Sequence, residues 1–151
     1  MRGNTTLLAA VAGITIACGG TSSGYGGGPA PSGFVITISN LAFSPLDLHV
    51  PPGQTVTVVN RDSMGHSVTS EASPGAFTPG SASGVSFDTG VFTGTRSFTI
   101  PANAPSGAVV PYFCSSHKAT MATPTGTITI DPSASSTTTS TTPSTPAMPA
   151  Y

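Results

Sequence analysis

Within the stretch YFCSSHKATM, residues 112–121, three side chains of one chemical temperament fall inside eight positions: Cys114, His117 and Met121. Thiolate, imidazole and thioether are soft or borderline metal donors, so the chemistry this spacing allows is coordination of a single ion. Each residue also has an ordinary explanation. A cysteine after an apolar run suits a buried small hydrophobe, a histidine suits an exposed loop, and a methionine suits a gap in a core. Their joint occurrence, with two residues between Cys114 and His117 and three between His117 and Met121, favours ligation. Three donors leave a site one short. His66 is the natural completion, because it opens the run HSVTS after the polar loop NRDSMG.

Two imidazoles and one thiolate in a plane, with a weak and long thioether contact on the axis, form the donor set of blue-copper electron-transfer sites. Cu(I) favours sulfur and Cu(II) favours imidazole nitrogen, so a mixed set tolerates both states. Structural zinc fits less well, since its sites use paired cysteines or histidines without methionine. CSSH lacks the second cysteine of a c-type haem attachment. The glycines at 26–28 have no P-loop lysine after them. The chain holds only His49, His66 and His117, too few for additional copper ions. With all four positions filled by protein there is no place for a substrate, which argues for a carrier rather than an enzyme.

Such a site needs rigid elements around it, and the sequence supplies strands. FVITI (34–38) is apolar and β-branched. LDLHV (46–50) alternates, with Leu46, Leu48 and Val50 on one face and Asp47 and His49 on the other, so His49 reads as solvated. PPG (51–53) makes a turn into QTVTVVN (54–60). Further strands are expected at HSVTS (66–70), RSFTI (96–100), VVPYF (109–113) and GTITI (126–130). Seven or more short strands with frequent turns predict an all-β sandwich or barrel. The connection between VVPYF and GTITI carries Cys114, His117 and Met121, and adjacent strands would hold both its ends.

Charge excludes one class of partner. Four basic side chains against five acidic ones, 6% charged residues in all, leave no footprint for nucleic acid. Ser, Thr, Gly and Pro fill the space that charged residues usually occupy. The folded region is expected at 34–131, long enough to bury a core without a disulfide. The tail at 132–151, rich in Ser, Thr and Pro, is expected to be disordered.

The first residues read as a targeting segment. Arg2 precedes the apolar run LLAAVAGITIA (7–17), too short to span a bilayer and of signal-peptide length. Residues 1–17 are therefore expected to be a signal peptide, and residues 18–33 a Gly/Ser-rich linker. Ala17 before Cys18 resembles a bacterial lipobox, although Thr15 departs from that pattern. Lipidation of Cys18 would anchor the chain to a membrane of the cell envelope; ordinary cleavage is the alternative. With Cys18 so occupied, Cys114 is a lone thiol in an oxidising compartment, where burial or a metal must protect it.

The anchors VTVVNRDSMGHSV, FDTGVFTGTRSFTI, PYFCSSHKATM and the closing GTITI resemble the cupredoxins, the plastocyanin- and azurin-like copper proteins. The resemblance covers residues 34–130. It implies a Greek-key β-sandwich with one copper held by His66, Cys114, His117 and, axially, Met121. It also implies that Ser67 and Ser115, which follow two of the ligands, tie the ligand loops together. Electrons would cross at His117, where redox partners dock by weak and transient contact with a monomer. Met64, Gly65, Ala119, Ala122 and Pro124 would form an uncharged rim there. Loops of this kind commonly place four residues between the last histidine and the methionine, and this one has three. Met64 is therefore retained as a second axial candidate. Copper buffering or delivery, and a structural surface sandwich, are the rival functions.

Overall fold

Short runs rich in β-branched and aromatic residues give eight strands, seen in a computed structural model that describes residues 33–136. In chain order they are β1 (Phe34–Ser39), β2 (Ala42–Ser44), β3 (Asp47–Val50), β4 (Thr55–Asn60), β5 (Thr69–Ser70), β6 (Gly94–Thr99), β7 (Val109–Phe113) and β8 (Thr125–Ile130). They form two four-stranded sheets, ordered β2-β1-β4-β6 and β3-β8-β7-β5. The β1–β4 and β3–β8 pairs are parallel, and the other pairs are antiparallel. Among the described residues there is no helix. The architecture is a Greek-key β-sandwich, as the sequence predicts.

The core follows from the period of two. Phe34, Ile36 and Ile38 of β1 and Val56 and Val58 of β4 point inward from one sheet, meeting Val110, Tyr112, Ile128 and Ile130 of the other. Each such side chain contributes about 1.5–3 kcal/mol by leaving water. Tyr112 packs edge-on against Phe43, with ring centroids 5.1 Å apart. Its ring lies so close over Gly126 that a Cβ there would sit 2.4 Å from the Tyr112 Cζ. Glycine at 126 is thus a packing requirement of β7 on β8.

Two expectations need correction, and one strand went unpredicted. The strand expected at 66–70 is regular only at Thr69–Ser70, while His66 makes a single antiparallel bridge with Phe92. The reason is that this segment crosses the sandwich: its far end pairs with β7, and its near end with the segment leading into β6. Leu46 precedes β3 and is 49% exposed, so it does not share a core face with Val50; β3 is an edge strand. The strand β2 was not expected at all. It is three residues long and stands because the Asn40–Leu41 turn folds it back on β1.

The chain past Asp131 does not leave the domain at once. Ser133 donates its amide and hydroxyl to the Asp131 carboxylate, and Ala134 packs against the core. The signal-peptide, linker and lipidation readings, including Cys18, lie outside the described residues, as does the tail from residue 137 on.

Candidate metal centre

Two loops at one end of the sandwich meet. The first leaves β4 at Asn60, whose buried amide organises it. Asn60 Nδ2 donates to the carbonyls of Met64 (2.8 Å) and Phe92 (2.9 Å), and its Oδ1 accepts the Asp62 amide at 3.0 Å. This curls residues 61–65 and delivers His66 to its bridge with Phe92, where it is fully buried. The second loop leaves β7 at Phe113. Cys114, also fully buried, donates its amide to Pro124 O at 3.0 Å, closing the loop neck. Residues 115–120 form a turn in which the Met121 amide donates to His117 O at 2.9 Å. That bond folds the chain back, so Met121 is buried although Lys118, Ala119 and Thr120 are exposed. The same turn brings the three residues between His117 and Met121 to the surface.

Three of the four predicted donors converge. One ligand atom from each of His66, Cys114 and His117 lies within 4.8 Å of the other two. His66 Nδ1 is 3.6 Å from Cys114 Sγ, and the two imidazole rings are 4.8 Å apart between centroids. His117 Nδ1 is a buried nitrogen with no hydrogen-bond partner, the one such side-chain atom among the described residues. A buried unpaired polar atom costs free energy unless something else occupies its lone pair. A free thiol and two imidazoles around that point suit a soft-to-borderline ion, and Met121 is buried on the same loop. The residues therefore fit copper. Met64, the second axial candidate, is 44% exposed beside the His66 loop.

Burial pushes the His66 imidazole below its ordinary range, the neighbouring His117 adds to this, and Asp62 opposes it. A neutral imidazole is the form that ligates. The two serines are bonded to each other across the loops. Ser67 Oγ accepts the Ser115 amide at 2.9 Å and lies 2.9 Å from Ser115 Oγ. Ser67 also lies 3.1 Å from Thr69 Oγ1, which donates to Asp88.

Two structural participants escaped the sequence reading. Asp62 faces His66 Nε2 at 3.1 Å. Thr123 accepts the Phe43 amide at 2.8 Å, fastening the loop's exit to β2. A carboxylate four residues before a candidate ligand was the available signal for Asp62; no signal marked Thr123. His49 is exposed, as expected, between Asp47 and Asp131 and far from the donors in the fold's plan, on an edge strand.

The family comparison agrees with this donor set. Residues 33–131 match the family model described as copper binding proteins, plastocyanin/azurin family. The chain belongs to that family, the cupredoxins, and its cofactor is copper. Among solved structures it is similar to an oxidised single-substitution variant of amicyanin, at 24% identity and a TM-score of 0.47, covering 66% of this chain and 82% of that one. It is likewise similar to a purple cupredoxin from Nitrosopumilus maritimus, at 24% identity and a TM-score of 0.48, covering 65% and 99%. By sequence, no curated protein matches the chain.

Proposed function

We propose that this protein is a mononuclear blue-copper electron carrier of the bacterial cell envelope, with His66, Cys114, His117 and Met121 as the ligands. The observation that carries the reading is the convergence of two imidazoles and a thiol on one buried point, with His117 Nδ1 left unpaired by protein. Copper supplies a one-electron couple there. Cys114 would supply the thiolate and His66 and His117 the neutral nitrogen donors, a mixed set that suits both Cu(I) and Cu(II). The packed sandwich resists rearrangement, because interiors at crystal-like density do not deform continuously. Half-buried His117 is the outward edge of the set.

The surroundings suit brief encounters. Met64 and Val91, 44% and 60% exposed, flank the bridge that holds His66, and Ala119 and Ala122 are exposed on the second loop. Arg61 and Lys118 are exposed on the same two loops, so the apolar patch is small and bordered by positive charge; a small surface favours weak docking and fast release. Anchoring rests on the sequence: the short apolar run ends at a small residue before Cys18. Mass spectrometry of the mature chain tests it, since an acylated Cys18 supports the anchor and an unmodified mature terminus removes it.

The central test is spectroscopic. The chain loaded with Cu(II) is expected to show an intense visible thiolate-to-copper band and reversible voltammetry. Cys114→Ser should lose that band while keeping the fold. Pale, irreversible copper binding by the wild type would overturn the carrier reading in favour of buffering or delivery.

A further inference from the structure

The Asp62 side chain is 16% exposed and its carboxylate meets two backbone N–H groups and one ring nitrogen. Oδ1 accepts the Asn40 amide at 2.7 Å, Oδ2 accepts the Leu41 amide at 2.9 Å, and Oδ2 lies 3.1 Å from His66 Nε2. An ionised carboxylate only accepts, so the partner nitrogen must carry a proton. With the proton on Nε2, Nδ1 keeps its lone pair, and Nδ1 is the nitrogen that faces Cys114 Sγ. The contact thus selects the tautomer that can bind a metal from the correct side.

The other two bonds reach further. Asn40 and Leu41 both hold positive φ, 53° and 59°. For leucine, which lacks the polar side chain that eases this region, such a backbone costs on the order of 1 kcal/mol and persists only when its surroundings enforce it. Asp62 is positioned to enforce it, taking both amides of the turn. The carbonyl of Leu41 then accepts the Ala122 amide at 2.8 Å, one residue beyond Met121, and Ala42 bridges Thr123. A continuous line of contacts runs from His66 through Asp62 and the turn to the methionine end of the second loop. Neither end is near the other in sequence.

We propose that Asp62 is a positioning residue of the metal centre. Its carboxylate fixes the tautomer and direction of His66 and, through the Asn40–Leu41 turn, couples that histidine to the Met121 arm. The proposal rests on the copper assignment above. A negative charge on the far side of the imidazole makes it a stronger donor, which favours Cu(II) over Cu(I).

The test uses the full chain loaded with copper, with Asp62→Asn and Asp62→Glu beside the wild type. Asp62→Asn is expected to raise the reduction potential and to weaken copper binding by about 10–100-fold, the usual effect of losing an outer hydrogen-bond partner. Asp62→Glu, which keeps the charge, should return the potential toward the wild-type value. A potential unchanged in Asp62→Asn, or shifted equally by both substitutions, overturns the role of the charge. Should Asp62→Asn fail to fold, the histidine ¹⁵N spectrum of the metal-free wild type decides: a His66 proton on Nε2 supports the proposal, and a proton on Nδ1 overturns it. Absence of a blue band in the wild type sinks the copper assignment instead, so the two failures are distinct.

Discussion

The Ser67 hydroxyl oxygen accepts the Ser115 amide at 2.9 Å, joining two loops separated by 48 positions in the chain. Each serine directly follows one of the converging donors, so this bond sets how far His66 stands from Cys114. Replacing Ser67 with alanine removes the acceptor and leaves the Ser115 amide unpaired. Ser67→Ala is expected to cost about 1–2 kcal/mol in denaturant unfolding. It should also speed copper loss to a chelator, which stopped-flow absorbance would follow; an unchanged rate would detach this bond from the site.

Met121 is buried where the loop turns back on His117. Leucine has nearly the same volume and no sulfur, so Met121→Leu tests the axial donor with little effect on packing. The blue band should survive and the reduction potential should rise. A potential that stays put would take Met121 out of the coordination sphere and leave exposed Met64 to be tested the same way.

Gly126 has no room for a methyl group beneath the Tyr112 ring. Gly126→Ala must displace a fully buried aromatic residue two positions before Cys114. A loss of about 1–3 kcal/mol is expected, the ordinary cost of overpacking. Thermal unfolding of the copper-loaded variant measures it, and broadening of the visible band would report that the strain reaches the site.

His49 bridges two strand ends. Its Nδ1 lies 3.1 Å from Asp131 and its Nε2 lies 3.4 Å from Asp47. The Asp131 hydrogen bond is the main cause of a His49 pKa raised above the ordinary 6.5, and Asp47 adds to it. Asp131 itself is held down to about 2, first by Ser133 and then by His49. A raised folded-state pKa means that the histidine contributes stability fully below about pH 6.5 and loses it as pH rises through the folded value. The Asp131 contribution is present above its ordinary pKa of 3.8 and is lost only as pH falls toward 2. The wild type should therefore gain melting temperature over His49→Gln at pH 5.5 and lose that margin by pH 8.5. The effect is small because the pair is exposed. An equal margin at both pH values would show that the pair does not titrate as a unit.

The strands β1, β4 and β8 were legible because a half-buried pleat writes its period of two into the residues, and β7 was legible as a short apolar run, buried at four successive positions. The donor trio was legible because it is local: one turn carries Cys114, His117 and Met121. His66 could be chosen for its position at a strand-like run, yet its bridge with Phe92 rather than a regular strand was hidden. That bridge depends on a partner 26 positions away. β2 was hidden for the same reason, since its pairing is supported by Asp62 and Thr123 from distant parts of the chain. Leu46 misled because alternation tells faces apart without telling a central strand from an edge.

Residue types and short spacings alone determined that this chain makes an all-β domain carrying soft metal donors on one loop. Tertiary structure decided the meeting of His66 with Cys114, the unpaired state of His117 Nδ1, and the engagement of Asp62. The difference is physical. Periodicity and turn chemistry act between near neighbours and are written locally. The distances among the candidate donors instead depend on two sheets packing at one separation, which every core side chain sets together.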